Sequence, residues 1–317
     1  MLPAPADQPT NEVLLLFEDA YEREGWCKLI VSFLLLCVVS VLNPLSVSLL
    51  NDIAPRQALP DTIFRLVPQQ TWAKGAGDAL VVCVSAVMVL YCLVHRFRVI
   101  VMRRLMLISA VAYLLRLLML LLTQLPVAFS DAEHICDPVA NLSATVVWKR
   151  FKWKFLMFGT TAPDSRDLCG DMFYSGHTIA FTSCIMVMNL YTPRSSLLMT
   201  FIRSAVSVLS YFGMLLLVLC RVHYSVDVVT SYLICFLLYL CYHAFCNMSN
   251  MHRRHSELRT FWLTKLIFWM ENSVPFGPIP NRLSCPLLEC FPAVPTFLDS
   301  ISDPADIRYP VENDLEE

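Results

Sequence analysis

The stretch Leu105–Leu122, which reads LMLISAVAYLLRLLMLLL, decides the class of this chain because it is long and apolar enough to cross a bilayer. A membrane helix needs about 20 mostly apolar residues, or fewer when flanking side chains reach the interface. Five other segments approach the same requirement: Leu29–Leu50, Ala76–Val94, Tyr174–Tyr191, Ser204–Cys220 and Val226–Phe245. The sequence therefore predicts an all-α, polytopic membrane protein with six transmembrane helices.

The composition supports this class. Of the 317 residues 56% are hydrophobic and 16% are charged, whereas a soluble domain carries roughly 25% charged residues. The formal net charge is −2 and basic residues form no nucleic-acid footprint, so we expect no nucleic acid among the partners. Most of the 13 cysteines lie inside apolar runs, where cysteine behaves as a small hydrophobe rather than as part of a disulfide framework.

The basic residues of the short connections set the orientation, because lysine and arginine accumulate in cytosolic loops. Three groups of basic residues fall on one side of a six-helix chain: HRFRVIVMRR (95–104), Arg194 with Arg203, and MHRRH (251–255). We therefore expect a cytosolic N-terminal tail (1–28), a transmembrane catalytic domain (29–248) and a cytosolic C-terminal tail (249–317). The long third-to-fourth connection carries Lys149, Arg150, Lys152 and Lys154 on the lumenal side, but long loops obey the rule weakly.

That lumenal connection has two further features. Its stretch VVWKRFKWKF (146–155) alternates aromatic and basic residues, which fits either a helix in the headgroup interface, anchored by Trp148 and Trp153, or a solvated loop. Cys136 and Cys169 share the predicted oxidising side of the membrane, where either a disulfide or two free thiols is possible.

Two short stretches place polar groups at the predicted lumenal ends of helices. CGDMFYSGHT (169–178) brings His177 to the start of the fourth helix, and RVHYSVD (221–227) brings His223 and Asp227 to the start of the sixth. His223 and Asp227 are four residues apart and share a helix face, so the carboxylate can hold one imidazole nitrogen and orient the other. Convergence of both stretches on one side favours a catalytic site over interfacial histidines without a chemical role.

His177 lies at a helix N-terminus, where backbone N–H groups and the helix dipole favour an anion such as phosphate. A phosphoryl group between two histidines would have a nucleophile on one side and a proton donor on the other. Arg116 lies inside the third apolar helix, where an arginine is costly and indicates either a function or a buried partner. It points toward the lumenal side, where it would clamp a phosphate or pair with Asp61 or Asp171, unless it merely snorkels.

These residues resemble the signatures of a known family. The tripeptide SGH (175–177), followed later by HxxxD (223–227), resembles the lipid phosphate phosphatase superfamily. The match to the sphingomyelin synthase family is closer still. CGDMFYSGHT resembles that family's third signature and HYSVDVVTSYLICFLLYLCYH (223–243) its fourth. LPD (59–61) and YLLRLLMLLLTQLP (113–126) resemble the first two, which are weaker alone.

The resemblance implies a lipid phosphate phosphatase-like helical core and a phosphatidylcholine:ceramide cholinephosphotransferase. His223, oriented by Asp227, would attack phosphorus and form a phosphohistidine, while His177 acts as acid and then as base. Substrate contacts would come from Arg116, Asp171, Ser175, Tyr174 and Tyr224. The resemblance implies that the reaction needs no metal and no cofactor. It implies residence in the Golgi membrane, with the endoplasmic reticulum or plasma membrane as alternatives. Self-association into a homo-oligomer stays open.

Departures from the phosphatase branch favour transfer over hydrolysis. The chain has no Arg-Pro dipeptide, and Leu217 stands where that branch carries an arginine six residues before the second histidine. Three alternatives remain open: a ceramide phosphoethanolamine synthase, a lipid phosphate phosphatase, and a non-catalytic transporter or scaffold. Phe173, Tyr174 and Tyr224 favour a choline cation, whereas Asp171 is the nearest spare carboxylate for the N–H donors of ethanolamine.

Overall fold

The computed structural model describes residues 9–129, 135–140, 143–156, 168–275 and 277–284. In these ranges the chain is almost entirely helical and forms no strand; an isolated β-bridge joins His95 and Leu283. The helices are α1 (Pro9–Leu50), α2 (Thr62–Leu66), α3 (Trp72–Val94), α4 (Arg98–Leu122), α5 (Ala144–Leu156), α6 (Gly176–Tyr191), α7 (Leu197–Leu219), α8 (Ser225–Cys246), α9 (Asn250–His255) and α10 (Trp262–Met270), with a 3-10 turn at Glu257–Thr260.

All six predicted membrane segments are helical. Within the described residues, five helices are long and apolar enough to span a membrane: residues Gly25–Leu50 of α1, and α3, α4, α7 and α8. The sixth, α6, has 16 residues and reaches only about 24 Å at 1.5 Å per residue. It is the central helix of the bundle, with contacts to α3, α4, α7 and α8, so protein rather than lipid surrounds most of it.

Close packing around α6 depends on small residues. Gly213 of α7 lies directly against the ring of Phe181 in α6, and a methyl group at that position would overlap the ring. Phe181 is fully buried, so it has little room to move aside. This contact brings α7 against the helix that begins with the SGH stretch.

Successive spanning helices run in alternating directions, which places the starts of α3, α6 and α8 at one end of the bundle with the end of α4. Two hydrogen bonds confirm this arrangement: the backbone N–H of Gln70 donates to Leu219 O at 2.9 Å, and the side-chain Nε of Arg116 donates to Tyr174 O at 2.9 Å. We call this end, which carries His177 and His223, the histidine end. The predicted convergence of the two histidine stretches on one side is therefore confirmed.

The two predicted tails are more structured than their composition suggests. α1 begins at Pro9 rather than at Leu29, because residues 10–24 contain neither proline nor glycine and are rich in helix-forming residues. The packed core also continues past the predicted boundary at residue 248. Ile267 and Met270 of α10, and Ile279 and Leu283 beyond it, belong to the main hydrophobic core.

Candidate active site

His223 and Asp227 lie at the start of α8, as their spacing predicts. His223 is buried in the turn before the helix, and Asp227 is fully buried in the first turn. His223 Nδ1 lies 3.8 Å from Asp227 Oδ2, which is longer than a hydrogen bond, although catalytic hydrogen bonds often shorten only when substrate binds. Among the described residues neither His223 Nδ1 nor Asp227 Oδ1 has a hydrogen-bond partner. The geometry suits a carboxylate that faces Nδ1 and leaves Nε2 for chemistry.

Asp61 and the backbone hold this turn in place. The backbone N–H of Tyr224 donates to Asp227 Oδ2 at 3.1 Å. Asp61 Oδ2 accepts hydrogen bonds from the backbone N–H of Ser225 at 2.9 Å and from its hydroxyl at 2.7 Å, while Asp61 Oδ1 caps α2 through Ile63 N. The LPD segment therefore positions the start of α8, a role that the sequence did not reveal.

Tyr224 joins the surrounding loops. Its buried hydroxyl accepts a hydrogen bond from Leu59 N at 2.9 Å and donates one to Val127 O at 3.2 Å. Its ring packs against Phe64 with the centroids 5.6 Å apart. The ring and the hydroxyl of Tyr224 are thus both engaged by protein next to His223 in the chain.

The SGH stretch starts α6 after a strained turn. Phe173 and Tyr174 both have left-handed backbones, with φ of 75° and 70°, which costs on the order of 1–3 kcal/mol for each residue and is typical of functional sites. Ser175 then caps α6, because its hydroxyl accepts a hydrogen bond from Thr178 N at 3.3 Å. The fully buried ring of Tyr174 leaves the half-buried Phe173 as the more accessible aromatic residue of this turn.

His177 has a carboxylate partner that the sequence analysis missed. His177 Nε2 lies 3.1 Å from Asp78 Oδ1, and both side chains are partly exposed at the histidine end. Asp78 belongs to the first turns of α3, inside a predicted membrane segment. An acidic residue in such a segment is as anomalous as Arg116, so the same criterion could have found it. Each of the two histidines predicted to be catalytic therefore lies beside its own aspartate.

Arg116 fixes the turn before α6 from three directions. Its Nε donates to Tyr174 O at 2.9 Å, its Nη1 to Asn43 Oδ1 at 2.7 Å, and its Nη2 to Asp171 Oδ1. Of the two partners that the sequence proposed, the structure selects Asp171, while Asp61 serves α2 and α8. The planar guanidinium fork matches this set of acceptors, so Arg116 is a buried support of the turn rather than a snorkelling side chain.

Asp171 is not a spare carboxylate. Besides the contact with Arg116, its Oδ2 lies 3.3 Å from Nζ of Lys154 in α5. Two cations thus share this carboxylate, which weakens the argument that Asp171 is available to an incoming ammonium group. Lys154 also connects α5 to the turn that carries Ser175 and His177.

The surroundings of His223 favour its neutral form. Burial lowers the pKa of His223 below its ordinary value; Asp227 opposes this effect, and His177 and Arg116 reinforce it. His223 is therefore mainly neutral near pH 7, which is the form that can act as a nucleophile.

A disulfide anchors the loop that leads to the SGH stretch. Cys136 and Cys169 are bonded, which resolves the alternative that the sequence left open. Cys169 N also donates to Asn51 Oδ1 at 2.9 Å. Gly170 follows with φ of 138° and lies against Leu50, where a side chain would be strained. These contacts fix the chain immediately before Asp171.

α5 is a separate amphipathic feature. Arg150 faces the protein and contacts Asp52 at 2.8 Å and Asp137 at 2.7 Å, whereas Trp148 and Trp153 are exposed. This pattern favours the interfacial helix over the solvated loop. A groove of about 550 Å³ separates α5 from α1, lined by Val41, Leu45, Leu49, Ser143, Ala144, Val147, Trp148 and Phe151. It contains neither histidine and is not the reaction site.

Comparisons with known proteins agree with this geometry. The family model "PAP2 superfamily C-terminal" matches residues 168–244, the range that contains His177, His223 and Asp227. The chain is 33% identical over 267 residues to phosphatidylcholine:ceramide cholinephosphotransferase 2 of Caenorhabditis elegans. The aligned region covers 83% of this chain and 78% of that protein. The chain belongs to the sphingomyelin synthase family. The resemblance inferred from the four signatures is thereby confirmed.

Other members of the sphingomyelin synthase family show the same extent of similarity. The putative phosphatidylcholine:ceramide cholinephosphotransferase 3 of Caenorhabditis elegans is 29% identical over 262 residues, covering 82% of this chain and 76% of its own length. Phosphatidylcholine:ceramide cholinephosphotransferase 2 of Homo sapiens is 26% identical over 268 residues, and the aligned region covers 83% of this chain and 72% of the human protein. The similarity therefore extends well beyond the histidine stretches.

Proposed function

We propose that this protein is a phosphatidylcholine:ceramide cholinephosphotransferase, which makes sphingomyelin and releases diacylglycerol. The observation that carries the proposal is the pair of Asp–His units, Asp78–His177 and Asp227–His223, at one end of a membrane-spanning bundle. Two oriented imidazoles can supply a nucleophile and a proton donor to the same phosphate. The activities named for the similar proteins support phosphatidylcholine and ceramide as the lipid substrates.

In the first step His223 Nε2 attacks phosphorus of the donor phospholipid, and the bond from phosphorus to the diacylglycerol oxygen breaks. Burial keeps His223 neutral and therefore nucleophilic, while Asp227 stabilises the positive charge that develops on its ring. His177, protonated and held by Asp78, donates a proton to the departing oxygen. The products are diacylglycerol and a phosphocholine group on His223.

In the second step the roles of His177 reverse. Now neutral, His177 accepts the proton of the primary hydroxyl of ceramide, and the ceramide oxygen attacks phosphorus. The bond from phosphorus to His223 breaks, which releases sphingomyelin and returns both histidines to their starting protonation states. The N-terminus of α6 and the nearby guanidinium of Arg116 provide positive potential for the phosphoryl oxygens.

The contacts at the site favour choline over ethanolamine. A primary ammonium needs a carboxylate within hydrogen-bond reach, but Asp171 contacts Arg116 and Lys154, and Asp78 contacts His177. The choline cation has no N–H donors and binds aromatic faces instead. The half-buried Phe173 beside His177 offers such a face.

Purified protein in detergent micelles with headgroup-labelled phosphatidylcholine, assayed with and without ceramide, tests the activity. We expect labelled sphingomyelin only when ceramide is present. Equal amounts of phosphatidylcholine and phosphatidylethanolamine in one assay should yield mainly sphingomyelin, because the carboxylates near the histidines are already engaged. Dominant ceramide phosphoethanolamine would refute the headgroup assignment alone. Labelled water-soluble phosphocholine in place of sphingomyelin would show that water, not ceramide, is the acceptor.

We also propose that the histidine end faces the lumen, in a Golgi membrane, with residues 1–28 and 249–317 on the cytosolic side. The Cys136–Cys169 disulfide at the histidine end supports this orientation, because such bonds persist in oxidising compartments. The basic connections at the opposite end support it independently.

Glycosylation reports the orientation directly. Asn141 opens the sequon Asn-Leu-Ser in the connection that we place in the lumen, although it lies outside the described residues, and Asn247 opens a second sequon at the end of α8. In eukaryotic cells we expect an endoglycosidase to increase gel mobility of the wild type and of N247Q, but not of N141Q. A glycan that depends on Asn247 would refute the proposed orientation.

A further inference from the structure

The end of the bundle opposite the histidines contains a buried ionic cluster that the proposed chemistry does not use. It consists of Arg103 and Arg104 in α4, Arg253 in α9 and Glu271 after α10, and each of these side chains is at least nine-tenths buried. Arg103 lies 13 residues before Arg116 on the same helix, or about 20 Å along its axis. We call these four residues the arginine cluster.

Glu271 is already saturated by two partners. Arg104 Nε lies 3.2 Å from both carboxylate oxygens, and its Nη2 lies 2.5 Å from Oε2. The hydroxyl of Tyr242 donates to Oε1 at 2.8 Å. One carboxylate is thus occupied by a bidentate guanidinium and a phenol, which leaves little acceptor capacity for a second arginine.

Within the arginine cluster, Arg103 is the residue whose guanidinium makes no hydrogen bond in the described structure. It is completely buried, its Nη2 comes only to 3.4 Å from Glu271 Oε1, and none of its three nitrogens makes a hydrogen bond within the described structure. Arg253, in contrast, donates to the carbonyls of Phe245, Cys246 and Glu271 and so caps the end of α8. A fully buried guanidinium with five unused donors is costly unless an anion satisfies it.

We propose that Arg103, with Arg253 beside Glu271, binds the phosphate group of an anionic phospholipid. The planar fork of arginine matches phosphate oxygens in pairs, and three guanidiniums against one carboxylate leave two positive charges in excess. Arg103 lies five residues after the start of α4, or about 8 Å along the axis, near the depth at which headgroup phosphates lie. Basic pockets between transmembrane helices at this level bind phospholipid headgroups.

The ligand reaches Arg103 only if the segment after α10 moves. This segment carries Glu271, and backbone hydrogen bonds from Gly277 N to Cys246 O, Arg96 N to Arg282 O, and Ser284 N to Val94 O hold its far part. Exchange of Glu271 for phosphate at Arg103 would therefore loosen the described residues 271–275 and 277–284, which lie at the opposite end of the bundle from His177 and His223. This site is independent of the phosphotransfer reaction.

Thermal unfolding of the purified full chain in phosphatidylcholine-containing micelles tests the site without using activity. One arm adds short-chain phosphatidic acid and the other adds the same concentration of inorganic phosphate. For the wild type we expect a saturable rise of roughly 5 °C in the unfolding midpoint with phosphatidic acid. The variant R103M should show no such rise, whereas the matched control R98M, on the same end of α4, should respond like the wild type.

R103M should itself fold, because methionine replaces a poorly paired buried charge with an apolar side chain of similar length. If it fails to fold, R103K keeps the charge, loses the fork and should show a smaller rise. Absence of a rise in the wild type, or an equal rise in every variant, overturns the proposal. An equal and saturable rise with inorganic phosphate alone overturns the lipid assignment and identifies a soluble anion as the ligand.

Discussion

H223A should lose ceramide phosphotransfer by a factor on the order of 10⁴ or more, because no other group at the site can take over the attack on phosphorus. H177A should lose a comparable factor, since the departing diacylglycerol oxygen then has no proton donor. Both side chains would act in the same two-step reaction, so the two losses should not add in the double variant. Sphingomyelin production is measured in membranes that contain equal amounts of protein.

H252A serves as the matched control for these variants. His252 is an exposed histidine of α9 at the opposite end of the bundle, and its removal should leave turnover within about twofold of the wild type. Near-normal activity of H223A at equal protein level would show that His223 is not the nucleophile.

D227N should remain folded but slow by roughly 10⁴-fold, as expected when a histidine loses the carboxylate that sets its tautomer and stabilises its cation. Asparagine keeps an oxygen that can accept the hydrogen bond from Tyr224 N, so the start of α8 should be retained. The unfolding midpoint and the rate are therefore measured together. A rate within threefold of the wild type would show that Asp227 only caps the helix.

The pH profile separates the two roles of Asp227. Burial lowers the pKa of His223 and Asp227 partly opposes this, so activity should fall on the acid side only below the ordinary histidine value of about 6.5. Removal of the carboxylate lowers the pKa further, and the acid limb of the residual activity of D227N should move to lower pH. A shift to higher pH would contradict the described environment of His223.

The sequence predicted the helical architecture and the placement of His223 and Asp227 at the start of a helix because both depend on local patterns. Apolar length alone identifies the spans, and a four-residue spacing places Asp227 on the face of His223. Arg116 was identified by the cost of a charge inside a membrane segment. These inferences needed no knowledge of which helices are neighbours.

The features that the sequence analysis missed depend on contacts between distant segments. Asp78 joins His177 only because α3 packs beside α6, and Asp61 acquires a role only when the LPD segment meets Ser225. Glu271 reads as an ordinary charge in a predicted tail until the fold buries it against Arg104. The sequence also did not reveal that Tyr174 and Tyr224 are buried, by the strained turn and by the hydrogen bonds of Tyr224 with Leu59 and Val127. Their contact with substrate stays a prediction.

The most direct test of the two-step mechanism is to look for the intermediate on His223. Purified protein is mixed with choline-labelled phosphatidylcholine in the absence of ceramide, quenched at alkaline pH, where phosphoramidates survive, and digested for mass spectrometry. We predict one phosphocholine group on the peptide that contains His223, an equal amount of released diacylglycerol, and loss of the label as sphingomyelin when ceramide is added. Diacylglycerol release that occurs only with ceramide present, with no labelled peptide at any time, would contradict the account and indicate direct transfer between the lipids.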